Sequence, residues 1–183
     1  MNERVILAAL KEIEIHSLRF RMIDLTRRLH ISKTSLYKIV ESKDQLIYEI
    51  INYLMNNFNQ KEKSIRSADL PVKQKIIAFV CLYTEAFKRF DKSIYTDLRT
   101  DYSSEWHRWS IFREKKINVL MDILEEGIQK HEFRKVNLDV MHQCLLVTSE
   151  ALSEYNFLKK SNLTYSEALK NLGDIIFFGL ENK

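Results

Sequence analysis

The sequence predicts an all-α protein with a small N-terminal helical domain and a larger helical domain after it. Only three glycines and one proline occur among 183 residues, whereas β-rich folds need turn-forming residues every few positions. Apolar residues make up 45% of the chain, and they recur at the three- and four-residue intervals of helices that pack on a core. We therefore expect long helices, short connections and two domains, over residues 1–46 and 47–183.

Three helices are predicted in the N-terminal domain, over about residues 2–15, 22–29 and 33–39. Ser32 is a suitable N-cap for the third of them. His30 lies in the turn before it, where a left-handed backbone is often needed, and histidine adopts that region more readily than most residues. Two short helices joined by about three residues form a helix-turn-helix.

Six further helices are predicted after the helix-turn-helix. Ser42 and Gln45 form a capping box at the start of the fourth helix. The polar segment 60–70 is expected to be a loop, and Pro71 marks the first turn of the next helix. The remaining helices are expected near 92–100, 103–130, 138–158 and 165–180, the last two capped by Asn137 and by Thr164 with Glu167.

Positive charge is concentrated in the N-terminal quarter of the chain. Residues 1–46 hold nine Lys or Arg and six Asp or Glu, while residues 47–183 hold twenty and nineteen. Within residues 21–43 there are six basic side chains and two acidic ones. This distribution is typical of a nucleic-acid-binding surface, although charge alone favours a solvated basic face.

The helix predicted at 33–39 carries side chains that suit contact with DNA. Its two lysines and two small hydroxyl residues are hydrogen-bond donors of different reach, and the small residues would let the backbone approach base edges. Tyr37 can donate to a phosphate through its hydroxyl group. Lys43 lies in the first turn of the fourth helix, where an ammonium group and free backbone N–H groups would hold a phosphate. The predicted DNA-contacting residues are Arg21, Lys33, Thr34, Ser35, Tyr37, Lys38 and Lys43.

The segment "DLTRRLHISKTSLYKIVESKDQL", residues 24–46, resembles the helix-turn-helix signature of the TetR family of bacterial transcriptional repressors. The match has no gap, and it departs from the family pattern nearby at Ser17, where glycine is usual. The resemblance implies a three-helix DNA-binding domain and a helical domain that dimerises and usually binds a small-molecule inducer. By position, it also implies phosphate contacts by Tyr37 and Lys43 and base contacts by the other predicted residues within 33–38.

The segment "SEWHRWSIFRE", residues 104–114, is rich in aromatic residues interleaved with His107, Arg108 and Arg113. It predicts either core packing with a solvated edge or one wall of a ligand cavity, because binding pockets combine apolar walls with a few polar groups. In the second interpretation the ligand is mainly apolar, and one of the three basic residues meets a polar or anionic group on it. The predicted cavity residues are Phe79, Tyr83, Phe87, Tyr95, Trp106, Trp109 and Phe112.

The last two predicted helices are apolar on more than one face, and such a helix needs two partners. Gly173 lies within the last helix, at a cost of about 1 kcal/mol relative to alanine, which close approach of another helix would offset. A homodimer would bury the apolar stripes in a four-helix bundle, whereas in a monomer these helices would simply be central. One stripe on the helix 138–158 includes Met141, Leu145 and Leu152, and the other consists of Val140, Cys144, Val147 and Ala151. The predicted dimer-interface residues are Met141, Leu145, Leu152, Leu172, Gly173, Ile176 and Leu180.

The favoured interpretation is a homodimeric TetR-type repressor that a small apolar or aromatic ligand releases from a palindromic operator. The alternatives are a helical regulator whose N-terminal unit docks on a protein, and an enzyme with a helical cavity. The enzyme is disfavoured because the sequence has no catalytic or metal-ligating constellation and no glycine-rich loop for a nucleotide, so we expect no cofactor and no metal. No apolar run is long enough to span a bilayer. Cys81 and Cys144 fit a reducing compartment as small apolar residues, and we expect a cytoplasmic protein.

Overall fold

The structure, a computed structural model, describes residues 2–87 and 94–180, apart from the side chains of Phe87, Phe177, Phe178 and Leu180. The prediction of an all-α protein is confirmed, since the described residues form ten α-helices and a 3-10 turn at Ser17–Arg19. The helices are α1 (Glu3–His16), α2 (Met22–Leu29), α3 (Lys33–Tyr37), α4 (Lys43–Ser67), α5 (Val72–Phe87), α6 (Ile94–Asp101), α7 (Ser103–Gln129), α8 (Leu138–Ala151), α9 (Tyr155–Ser161) and α10 (Tyr165–Leu180). Within the described residues, no helix has both the length and the apolar character needed to cross a bilayer.

The N-terminal core is shared by α1, α2, α3 and the first turns of α4. Leu25 and Leu36 are fully buried there, as is Leu46 at the start of α4. Burial of each such side chain contributes roughly 1.5–3 kcal/mol. The predicted boundary between residues 46 and 47 therefore falls inside a continuous helix that begins in the N-terminal core and leaves it.

The loop predicted over residues 60–70 is wrong, because α4 continues to Ser67. The polar residues of this segment are mostly exposed. Glu62 within it and Phe58 just before it are buried. The Glu62 carboxylate pairs with the buried ammonium group of Lys116 on α7. The inner face of the last turns of α4 therefore carries a buried charged residue, Glu62. For this reason the spacing of apolar residues did not predict a helix there.

The single helix predicted over 138–158 is two helices, α8 and α9. The backbone leaves the helical path at Leu152–Glu154, where the hydroxyl of buried Ser153 donates to the carbonyl of Glu150 at 2.7 Å. Local serine bonds of this kind compete with helical backbone hydrogen bonds. Leu158 is fully buried and anchors α9 to the core.

The predicted helix caps are confirmed by hydrogen bonds from backbone N–H groups to side-chain oxygens three residues earlier. The pairs are Ser35 to Ser32 at 3.0 Å, Gln45 to Ser42 at 3.1 Å, Val140 to Asn137 at 3.0 Å and Glu167 to Thr164 at 3.2 Å. In a standard capping box the Gln45 side chain would accept from the N–H of Ser42. It accepts instead from the N–H of Glu41 at 2.7 Å.

The helices from α4 onwards are organised around α5 and α7. Helix α5 packs against α4, α7 and α10, and α7 also packs against α6 and α8. Gly173 lets α10 approach α5 within the same chain, since a Cβ at this position would lie 3.1 Å from a methyl carbon of Val80. The close approach expected at Gly173 is therefore met inside the protomer.

Candidate functional site

The turn between α2 and α3 is set by His30, whose backbone is left-handed with φ 54° and ψ 44°. The prediction for this residue is confirmed. Its N–H donates to the carbonyl of Arg27 at 3.3 Å, which ends α2. Leu29 and Leu36 are buried on either side of the turn, so α2 and α3 are held on one core while their outer faces remain open.

The outer face of α3 is polar and exposed. The exposed residues are Lys33, Thr34, Ser35, Tyr37 and Lys38. The ammonium nitrogen of Lys33 lies 5.8 Å from the ring centroid of Tyr37, and the Ser35 hydroxyl lies 2.9 Å from that of the capping Ser32. Helix α3 ends at Tyr37, two residues earlier than predicted, so Lys38 lies at its C-terminal end.

Lys43 ties the start of α4 to the 3-10 turn. Its ammonium group donates to the backbone carbonyl of Leu18 at 2.6 Å and lies 4.8 Å from the ring centroid of Phe20. Partial burial lowers the pKa of this lysine. The sequence indicated only a phosphate contact, whereas the structure shows a lysine that also holds two elements together. An ammonium group has three donors, so the bond to Leu18 leaves two for another acceptor.

Arg21 lies just before α2 and is exposed. Its backbone N–H donates to the Asp24 carboxylate at 3.0 Å, and its guanidinium group lies 3.4 Å from the same carboxylate. Hydrogen bonding from the Arg21 side chain and backbone lowers the pKa of Asp24. The Asp24 side chain thereby caps the first turn of α2, and the Arg21 charge remains at the surface.

An ion pair joins the 3-10 turn to α6. The 3-10 turn packs on α6, and a guanidinium nitrogen of Arg19 lies 3.0 Å from a carboxylate oxygen of buried Asp97. The second oxygen of Asp97 has no hydrogen-bond partner among the described residues. This contact connects the 3-10 turn before α2 to α6.

A cavity of about 100 Å³ lies between α5, α7, α8 and α10. Its walls are mostly aliphatic, and two buried cations, Arg113 and Lys116, reach it. The residues that line it are Ile76, Phe79, Val80, Tyr83, Thr84, Arg113, Lys116, Ile117, Leu120, Leu124, Leu145, Ser149, Leu169, Leu172, Gly173 and Ile176.

Only part of the predicted aromatic wall lines this cavity. Phe79 and Tyr83 do so, whereas Tyr95 and Trp109 line a separate space of about 40 Å³. Phe112 packs edge-to-face on Phe58, with ring centroids 5.5 Å apart, and belongs to the core. The side chain of Phe87, also predicted here, lies outside the described residues.

The basic residues of the segment 104–114 have separate environments. Arg108 pairs with Glu105 at 2.5 Å and lies over the ring of Tyr48, while His107 is exposed. The half-buried Trp106 packs against the guanidinium group of Arg99, 4.7 Å from its ring centroid. Arg113 is thus the one of the three predicted basic residues that lines the cavity.

The dimer-interface residues predicted on α8 and α10 are mainly turned into the protomer. Leu145 is buried, Met141 and Leu152 are half-buried, and the three described α10 residues of the set line the cavity. The side chain of Leu180 lies outside the described residues. The exposed stripe is instead the other one on α8. Its members are Val140, Cys144, Val147 and Ala151, and Ile175 of α10 is exposed as well.

Comparison with known proteins decides which fold this is. No protein-family model matches the sequence. The chain is 22% identical over 181 residues to the uncharacterized HTH-type transcriptional regulator YvaF of Bacillus subtilis, covering 98% of this chain and 95% of that protein. A transcriptional regulator from Cytophaga hutchinsonii superposes with a TM-score of 0.73 at 19% identity, with 98% of each chain covered.

The TetR family transcriptional regulator PfmR from Thermus thermophilus superposes with a TM-score of 0.68 at 19% identity, covering 98% of this chain and all of that one. This chain has the TetR-family fold. The resemblance seen in residues 24–46 therefore extends over the described length of the chain. In this TetR fold, α2 and α3 form the helix-turn-helix, and α4 connects it to the domain that contains the cavity.

Proposed function

We propose that this protein is a homodimeric TetR-type transcriptional regulator that binds operator DNA through α2, α3 and the start of α4. The observation that carries the proposal is the exposed row of donors on α3, held by a capped turn in the basic quarter of the chain. The similarity to TetR-family and HTH-type transcriptional regulators supports a DNA-binding regulator.

The exposed face of α3 has the chemistry of a major-groove reader. Lys33 and Lys38 can reach base acceptors or phosphates, and small hydroxyl residues between them permit close approach. The N-terminus of α4 adds free N–H groups beside Lys43, a combination that binds phosphate. Buried Leu36 and Val40 fix this face from behind, so little ordering is needed when DNA binds.

A palindromic site needs two copies of the DNA-binding surface formed by α2, α3 and the start of α4, which we call the reading head. We propose that the two copies pair through the exposed stripe of α8. Val140 and Val147 are 59% and 57% exposed, and Ile175 of α10 is 72% exposed. Monomeric proteins rarely leave such stripes in water. A two-fold axis through the stripe would form a four-helix bundle from α8 and α10, with half-sites about one helical turn apart on DNA.

The cavity supports control by a small ligand, with the protein acting as a repressor that the ligand releases. A ligand changes DNA affinity only if it binds one arrangement of the reading heads better than another. Helix α4 offers the connection, since it starts at Lys43 and carries Phe58, which packs edge-to-face against the cavity residues Phe79 and Tyr83. The Arg19–Asp97 pair offers a second connection through α6.

Footprinting tests the DNA-binding proposal. The purified protein is tested on the promoter region of its own gene, where we expect protection of a near-palindromic site. Lys38→Ala should change sequence preference, because the substitution removes a donor from the reading face. Lys160→Ala on α9, also an exposed lysine, is the matched control and should bind as the native protein does. Equal binding by the native protein and Lys38→Ala to every fragment, specific or not, would contradict the proposal.

A further inference from the structure

Arg113 is a buried cation whose hydrogen-bonding groups are only partly satisfied. Its side chain is 3% exposed, and one terminal guanidinium nitrogen donates to a carboxylate oxygen of Glu150 at 2.8 Å. The Nε atom is buried and has no hydrogen-bond partner among the described residues. Burying a guanidinium N–H group without an acceptor is costly, so this side of Arg113 is suited to an acceptor that the protein itself does not supply.

The other cation at the cavity is already satisfied. Lys116 pairs with the buried carboxylate of Glu62, and its ammonium nitrogen lies 4.9 Å and 5.5 Å from the ring centroids of Phe112 and Phe58. Glu150, in contrast, has a side chain that is 52% exposed. The difference singles out Arg113 as the cation that can exchange its partner.

The surface that faces the cavity is almost entirely apolar, although Arg113, Thr84 and Ser149 are among its lining residues. These three lie near the start of α10, whose side chains donate to the backbone carbonyls of Thr84 and Ser149 at 2.9 Å and 3.1 Å. Ile76 and Leu124 line the cavity further along α5 and α7. The eleven residues from Arg113 to Leu124 correspond to about 16 Å along a helix, so Arg113 and Leu124 lie at opposite ends of the wall that α7 contributes to the cavity.

We propose that the ligand of this cavity is an aliphatic carboxylate, whose head group binds Arg113 in place of Glu150 and whose tail extends towards Leu124. This inference rests on the proposed control by a ligand and names the chemical class. A carboxylate accepts two parallel N–H bonds from a guanidinium group, and one of them can come from Nε. The half-exposed Glu150 returns to water when it is displaced, at far smaller cost than a buried carboxylate.

The displaced pair also connects two helices that matter for assembly. Arg113 belongs to α7, and Glu150 lies on α8 three residues after Val147 of the exposed stripe. Ligand binding would break this ion pair between α7 and α8. Binding of the ligand head group therefore changes a contact of α8, the helix that we propose for dimerisation.

The test measures binding of matched probes without DNA. Hexanoate, octanoate and decanoate are titrated calorimetrically into the native protein near neutral pH, alongside the corresponding primary alcohols. The cavity of about 100 Å³ is smaller than one of about 150 Å³ that holds benzene, so the longer probes require the aliphatic walls to move. We expect each carboxylate to bind more tightly than its alcohol.

Three variants test whether Arg113 binds the carboxylate head group. Arg113→Gln should weaken carboxylate binding by roughly tenfold to a hundredfold and leave the alcohols nearly unchanged. Glu150→Gln should strengthen carboxylate binding by about two- to tenfold, because it removes the competing partner, and it remains informative if the Arg113 variant does not fold. Arg108→Gln is the control and should have no effect, since Arg108 pairs with Glu105 and does not line the cavity.

Each other outcome overturns the inference. Equal affinity for carboxylates and alcohols, or carboxylate binding that Glu150→Gln weakens, would show that Arg113 does not hold the head group, while the cavity would remain a ligand site. No binding of either series would remove aliphatic ligands from consideration. DNA binding is measured separately by footprinting, so neither result is confused with failure of the proposed regulator function.

Discussion

Ser17 has a backbone conformation that suits glycine, and its replacement should stabilise the protein. Its φ of 53° and ψ of −149° lie near a region that is essentially restricted to glycine, where other residues store about 1–3 kcal/mol of strain. The residue is 6% exposed, and its hydroxyl oxygen has no hydrogen-bond partner among the described residues, which costs a further amount of about 1–3 kcal/mol. Ser17→Gly removes both costs.

The greater freedom of glycine in the unfolded chain opposes this gain by about 0.4–1 kcal/mol. We therefore expect Ser17→Gly to raise the free energy of unfolding by about 1–5 kcal/mol. Urea unfolding followed by circular dichroism, at one fixed protein concentration, measures the change. Ser17→Ala is the matched control, because it removes the hydroxyl but keeps the Cβ atom at positive φ. A Ser17→Gly protein that is no more stable than Ser17→Ala would refute the strain argument.

Three further substitutions test assembly, pH dependence and the Lys43 hydrogen bond. Val147→Glu should give monomers in sedimentation velocity, because a two-fold axis would bring like charges together at a cost of several kcal/mol, whereas Leu70→Glu should stay dimeric; a dimeric Val147→Glu would contradict the proposed surface. Burial raises the pKa of Tyr165 from 10.0 to about 12, so the folded state holds this proton more tightly and the resulting stability is present below pH 10 and lost as pH rises through 12. That loss is about 2–3 kcal/mol. The urea midpoint should therefore fall less steeply between pH 8 and 12 in Tyr165→Phe than in the native protein. An equally steep fall in both proteins would exclude Tyr165 as the cause. Lys43→Ala should lower the free energy of unfolding by roughly 1 kcal/mol through loss of its charged hydrogen bond and weaken binding to all DNA sequences alike, and unchanged stability would show that its bond to the 3-10 turn contributes nothing.

The helix-turn-helix could be predicted because its determinants are local in sequence. Ser32 caps α3 through a residue three positions away, and His30 supplies the left-handed turn by its own backbone preference. The additional role of Lys43 was missed, since its partner Leu18 lies 25 positions earlier in the chain. Nothing in the spacing of charged residues indicates which carbonyl a lysine will reach.

The sequence indicated α5 and α7 as walls of a cavity, but α8 and α10 also line it and only part of the predicted aromatic wall does so. Aromatic density marked the segment 104–114, yet Phe112 packs on Phe58 in the core and Trp109 lines the smaller space beside Tyr95. The ion pair beside the cavity joins Arg113 and Glu150, which are 37 positions apart. Such a pairing follows from how α7 packs on α8, and apolar periodicity within either helix contains no information about it.

The sequence also could not show which apolar face of α8 is buried. Two stripes could be recognised, but only packing decides that Leu145 is buried and Val147 is exposed. Cys81 and Cys144, interpreted from sequence as small apolar residues, are both exposed thiols in the described chain. For Cys144 the apolar surroundings are those of the exposed stripe on α8.

The salt dependence of operator affinity tests the central claim most directly. Fluorescence anisotropy with a labelled operator duplex measures the dissociation constant between about 50 and 200 mM salt, the range in which phosphate contacts are most evident. If the α3 face of each protomer binds DNA, the affinity of the native protein falls steeply with salt. Replacing Lys43, the predicted phosphate contact, by alanine should then reduce the slope by about 0.9 for each phosphate that this lysine neutralises in the two protomers. An affinity that does not change with salt, or a slope that the Lys43 replacement leaves unchanged, would contradict a DNA-binding role for this surface.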